Sequence, residues 1–407
     1  MDTTISVRNS FGETLLGLSY SHDLVADIFS RACVDAYREY DGQRLGYAFT
    51  QIFEPDVLAE VCLLQGLSYE LVATVRYQPT AEIRRLAGWM EDAGDLPVVE
   101  LINLGSVLVS ISRFDVAQRV IQLAADRSCT SRERFEIAWL KFLVSNRCDD
   151  GRRSTEFFQA MQIEVEAGSI PDARVLDVCT QAVVWYLKRK EVSRDLFVWA
   201  VKRGNSVARN GTALDPATVS AWYRGIAMLP AARRDSSMTR RCMEIAHDAA
   251  ETSVQHSSYA SSVNALKTYH ESTLKEHLYV TRDLDRAEAA GQALVDLDPV
   301  WSPSYGELAE VYEAFGRTER AAEMYERATT LGPPYVRHHL YRAGKCRAAI
   351  GEYDLAADSY SLLLGLAPLN HHVREAGAAV AKRASKESRN RFETELARAS
   401  TLTAQGE

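Results

Sequence analysis

Three prolines, Pro299, Pro333 and Pro368, close successive segments at spacings of 34 and 35 residues, and this period constrains the chain more than any other feature. Self-similarity every 20 to 50 residues marks a repeat architecture, in which each unit buries its apolar face only against its neighbours. Within the period, apolar residues recur at helical spacing. Leu308, Val311, Tyr312 and Phe315 stand at i, i+3, i+4 and i+7, and Ala321, Met324, Tyr325 and Ala328 repeat the pattern. Two short amphipathic helices per unit are therefore predicted. Ala309, Ala321, Ala328, Gly344 and Ala356 are small enough for paired helices to approach closely, while Gly316 and Gly351 fall where the intervening turn needs a permissive backbone. Ser302 followed by Pro303 reads as an N-cap and first helical position.

The segment from Ser302 to Tyr335 resembles the tetratricopeptide repeat, with Tyr305, Leu308, Ala309, Tyr312, Gly316, Ala321, Tyr325, Ala328 and Pro333 at consensus positions. The next segment keeps Leu340, Ala343, Gly344, Gly351, Ala356, Tyr360, Leu363 and Pro368 but puts Arg347 where the family has an aromatic. The preceding one, about 268 to 301, keeps Leu274, Leu278, Ala287, Leu294 and Pro299 and departs at Glu271, Lys275 and Gly291. A looser copy begins with Leu101, Leu104, Gly105, Leu108, Ala117, Ile121 and Ala124. The resemblance implies an all-α fold, a right-handed superhelical array of hairpins that binds a peptide or protein partner in its concave groove and performs no catalysis of its own. In the family, fixed positions of each first helix line that groove. They fall here on Tyr269, Ser272, Glu276 and Tyr279, on Glu307, Glu310 and Glu313, on His338, Tyr341, Arg342 and Lys345, and on His372. Arg342 and Lys345, one turn apart, are expected to hold an acidic group of the partner, and Glu307 and Glu310 a basic one. Only Arg342 matches a basic position of the clamp with which chaperone-tail-binding relatives hold a terminal carboxylate, so that ligand is not expected.

Four regions follow: an acidic N-terminal, mostly helical segment at 1–95, degenerate hairpins at 96–265, three repeats at 266–370, and a capping helix with tail at 371–407. Stripes at Phe135, Ala138, Trp139 and Phe142, at Leu176, Cys179, Val183 and Leu187, at Val219, Trp222, Tyr223 and Ile226, and at Cys242, Ile245, Ala246 and Ala249 extend the helical pattern upstream. Thr130 with Glu133 forms a capping box, and Asp215 with Pro216 marks a helix start. Thr3 to Arg8 and Thr14 to Ser19 read as a small β-hairpin. Residues 371 to about 400 read as one solvated helix capping the array, and the final TLTAQGE as frayed.

Charge and motifs exclude several functions. Residues 1–95 carry 15 acids against 7 arginines, and the remaining chain 40 charges of each sign. Phosphate-backbone binding by the first segment is opposed by that balance. It weighs against the helix-turn-helix spacing of Val61, Cys62, Gly66, Leu67, Val72 and Val75, whose second helix would hold Glu70 and one arginine. No nucleotide-binding loop, nucleophile elbow or zinc-protease motif is present. Glu244-x-x-His247 has the spacing of half a di-iron carboxylate site but no second copy, and His270 and His277 lie about 10.5 Å apart along a helix, too far for one metal. No metal or cofactor is expected. Seven scattered cysteines without a CxxC pair suit buried thiols. No stretch is long and apolar enough for a membrane span, no secretory pattern opens the chain, and a cytoplasmic binding scaffold is expected. The rivals are a peptide-sensing transcription regulator and an accessory subunit of an enzyme pathway.

Overall fold

With apolar residues at helical spacing and little glycine or proline between them, the chain has few alternatives to helix. The computed structural model describes residues 92–405 except 111–113, 129, 148–152, 189–191, 212–213, 257–258, 298–301, 332–334, 367 and 369. The expected N-terminal β-hairpin and helix-turn-helix spacing lie outside the described residues. Among those described, sixteen α-helices and no strand occur. They pair in chain order as eight hairpins. These are α1 (Val98–Ser110) with α2 (Phe114–Arg127), α3 (Ser131–Arg147) with α4 (Ser154–Glu166), α5 (Asp172–Lys188) with α6 (Arg194–Asn210), and α7 (Pro216–Ala232) with α8 (Ser236–His256). Then come α9 (Tyr259–Glu276) with α10 (Leu284–Leu297), α11 (Ser302–Ala314) with α12 (Thr318–Leu331), α13 (Val336–Ala349) with α14 (Tyr353–Leu366), and α15 (His371–Ala381) with α16 (Lys386–Gln405).

Local chemistry sets the ends. Thr130 and Glu133 make the reciprocal capping box at 2.9 and 3.1 Å, and Asp215 accepts from the Thr218 amide ahead of Pro216. Gly316 and Gly351 take left-handed φ of +75° and +87°. After each, the same bond recurs, Arg317 N–H to the Tyr312 carbonyl and Glu352 N–H to the Arg347 carbonyl, which closes the helix and turns the chain. Ser302 is the first residue of α11 rather than its cap, and is buried.

The predicted small residues are where helices meet. Ala309, Ala321, Ala328 and Ala356 are fully buried, with Tyr325 and Tyr360 beside them. Two further crossings are closer still. A Cβ on Gly204 of α6 would lie 2.3 Å from the ring of fully buried Trp222, and one on Gly377 of α15 2.2 Å from Phe392. Arg347 stands in for the family aromatic by leaving water without losing its partners: 8% exposed, it donates to Glu326 at 2.7 and 2.6 Å and to Glu352 at 2.6 Å.

Three expectations change. First helices begin 33 to 35 residues apart at both ends of the array but 41 to 44 apart from α3 to α11, because α5 to α9 run 17 to 21 residues. The unit predicted at 268–301 thus begins at Tyr259 and continues through a π-helical turn, His277–Thr281, ended by left-handed Arg282. The single C-terminal helix is a hairpin, α15 and α16, whose break is held by Arg389 donating to the Ala381 and Lys382 carbonyls. Finally, α16 buries Phe392 and Ala399 and stays helical to Gln405, so residues 401–405 are not frayed. No helix among the described residues is long and apolar enough to cross a membrane. Cys179 and Cys346 are buried free thiols and Cys242 a half-buried one.

Candidate partner-binding face

Several successive first helices are joined by polar side-chain bonds. Lys275 of α9 reaches back to Glu271 at 2.8 Å and across to Glu307 of α11 at 2.9 Å. Two turns on, Glu313 of α11 receives Arg342 Nε of α13 at 2.9 Å, a second Arg342 nitrogen, and Lys345 at 3.5 Å. Between them the Tyr279 hydroxyl donates to Glu310. Toward the start of the chain, Arg224 of α7 donates to the Thr268 carbonyl at 3.2 Å and to Ser272 Oγ at 3.5 Å. Arg174 of α5 forks onto Glu136 of α3 at 3.0 and 2.6 Å, bonds Asp177 at 2.7 Å, and lies 4.7 Å from the Trp139 ring.

Glu271 and Lys275 keep 39% and 34% of their side-chain surface open to solvent. The crowding of charges on this face sets its electrostatics. Desolvation, reinforced by Glu271 and opposed by Lys275, pushes the Glu307 carboxyl up to about 7. Burial and the bond to Glu310 push the Tyr279 phenol up to about 12. Desolvation, with Arg342 adding to it, holds the His338 imidazole below its ordinary range.

The sequence-predicted site residues divide. Glu307, Glu310, Glu313, Tyr279, Arg342 and Lys345 come together, with His338 exposed beside them and its ring 6.3 Å from that of Tyr325. Tyr269 and Glu276 do not join them. At 8% and 5% exposure they face α8, where Tyr269 packs with Ala227, Met243 and Ala246 and Glu276 pairs with Arg240 at 2.8 Å. The 21-residue α8 packs along this side of α9. Tyr341 is half-buried with its ring 6.0 Å from that of Tyr360 in its own hairpin, and His372 is exposed at the start of α15. Arg342 and Lys345 are the pair expected to hold an acidic group of the partner. Glu313 already holds both, so no partner carboxylate is needed to neutralise them.

Sequence reasoning did not single out the Arg174, Glu136 and Asp177 cluster or the Glu271–Lys275 pair, although Glu and Lys four residues apart on one helix were a local signal for the latter. His247 lies against Asp248 and Glu251. Among the described residues one His/Glu group, His371, His372 and Glu375, has ligand atoms within 4.8 Å, and all three side chains are exposed.

A tetratricopeptide-repeat family model matches residues 304–334, which span most of α11 and all of α12. No curated protein sequence matches the chain. Among solved structures, Pseudomonas aeruginosa pilF is 16% identical with a TM-score of 0.37, over 57% of this chain and 93% of its own. The apo form of RapI is 9% identical with a TM-score of 0.46, over 75% and 86%. Human IFIT1, as a dimer with PPP-AAAA, is 12% identical with a TM-score of 0.43, over 89% and 94%. At these TM-scores the likenesses say nothing of what this chain binds. The repeat match, the recurring glycine turns and the hairpin pairing together show a tetratricopeptide repeat at residues 304–334 within an all-α array of helical hairpins.

Proposed function

We propose that the protein is a non-catalytic scaffold that takes a peptide or protein partner along the charged face of α9, α11 and α13. The observation that carries this reading is the set of part-exposed charged side chains that link α9, α11 and α13 along one side, Lys275 with Glu307 and Glu313 with Arg342 and Lys345. The repeat match supports it, since α11 contributes the three central glutamates. Of Glu307, Glu310 and Glu313 on that helix, Glu310 carries a charge that no described cation neutralises, which opposes a nucleic-acid phosphate at that point.

The test is site-specific photocrosslinking in the full chain, expressed in its own cells. A benzoylphenylalanine at Tyr279, 56% exposed on this face, is expected to give discrete higher-mass adducts. The same group at Ile163 of α4, 67% exposed, is expected to give none. No adduct from position 279, or equal adducts from both, refutes the reading.

A further inference from the structure

Carboxylates on the charged face are matched to cations, with one exception. Glu307 has Lys275, and Glu313 has Arg342 and Lys345. On the second-helix side, Glu288 has Arg317 and Arg320, and Glu326 has Arg347. Glu310 lies one turn from Glu307 and one from Glu313, half-buried, and no cation among the described residues pairs with it. Its hydrogen bond comes from the Tyr279 phenol.

Beside Glu310 stands the Tyr279 ring, more than half exposed, and on the next hairpin the exposed His338 ring lies 6.3 Å from that of Tyr325. Burial, with Arg342 adding to it, holds the His338 imidazole below its ordinary range, which favours a ring face over a positive charge. An open carboxylate beside aromatic rings suits a cationic side chain: the carboxylate pairs with the charged head, and the rings take the remainder by cation–π and apolar contact. Lys275 and Arg342, committed on either side, repel a second cation placed close by.

Resting on the binding function proposed above, we propose that Glu310, Tyr279 and His338 form the seat for a single lysine or arginine side chain of an extended partner segment. The face thus reads one cation set between neutral or acidic neighbours.

The experiment uses an array of random, end-capped 12-residue peptides probed with the full chain. Peptides bound by the wild type are expected to be enriched in single lysines or arginines. Glu310→Gln is expected to abolish that enrichment and to weaken the best single-lysine peptide about tenfold. Glu319→Gln, which removes the same charge from an exposed position of α12, is expected to leave it unchanged. Glu310→Lys is expected to shift the preference to single-acid peptides, a gain that misfolding does not mimic. A wild type without cation preference, or a preference unaltered in both Glu310 variants, overturns the proposal. If position 279 still crosslinks in that case, the binding face stands and only the cation seat falls.

Discussion

Acid should loosen the α11–α13 contact through one residue, His339. Its side chain is 2% exposed, its ring lies over Gly306, where a Cβ would be 2.5 Å from Nε2, and its Nδ1 has no hydrogen-bond partner among the described residues. Burial, with the neighbouring His338 adding to it, pushes the imidazole down to about 3. The folded protein therefore keeps this ring neutral, while the unfolded chain protonates it below about pH 6.5. Because the unfolded state then binds more protons, stability falls as pH drops through the window from about 6.5 to about 3, by roughly 1.4 kcal/mol per pH unit. Over the whole window this approaches 5 kcal/mol, comparable to the lower end of a domain's total stability. His339→Leu, of similar volume, removes both the titration and the orphan nitrogen. Urea unfolding followed by circular dichroism at pH 7, 6, 5 and 4 compares the two. At pH 7 the variant should lie within about 1.5 kcal/mol of wild type. Below pH 6 the difference should move in the variant's favour by about 1.4 kcal/mol per unit, since other titrations are common to both. Parallel pH profiles would refute the reasoning.

Ala321→Leu is expected to cost roughly 1 to 3 kcal/mol, because Ala321 is fully buried where α12 meets its neighbours. An unchanged urea midpoint removes the helix register assigned to this hairpin. Arg347→Ala is expected to cost about 1 to 2 kcal/mol, since Glu326 and Glu352 lose their guanidinium but keep 36% and 41% exposure and so regain water. Combining it with Glu326→Gln should cost less than the sum of the two single changes, and strict additivity counts against the pair.

The hairpin α11–α12 was legible in the sequence because everything that shapes it is local. Its stripes repeat within four residues, and Gly316 stands at the only backbone position that requires it. The Thr130–Glu133 box was legible for the same reason. The long middle hairpins were not, because α8 and α9 gain their extra residues without disturbing the apolar period. The facing of Tyr269 and Glu276 followed from α8, a helix whose reach no residue of α9 encodes. The ion pairs were hidden by distance: Lys275 and Glu307 are 32 residues apart, Glu313 and Arg342 are 29, and Glu136 and Arg174 are 38. Each charge alone reads as a solvated helix position.

These separations are each close to one repeat, which has a consequence for how such a chain can vary over descent. A residue that faces the groove is also half of a bond between consecutive hairpins, so reversing one charge strands its partner a repeat away. Lys275 with Glu307, Glu313 with Arg342, and Glu136 with Arg174 are therefore expected to change together in related chains, by paired substitution or by swapping sign. Glu310 is tied to the preceding hairpin by the neutral Tyr279 phenol, 31 residues away, and by no cation among the described residues, so its replacement strands no charge and should follow the partner's chemistry instead.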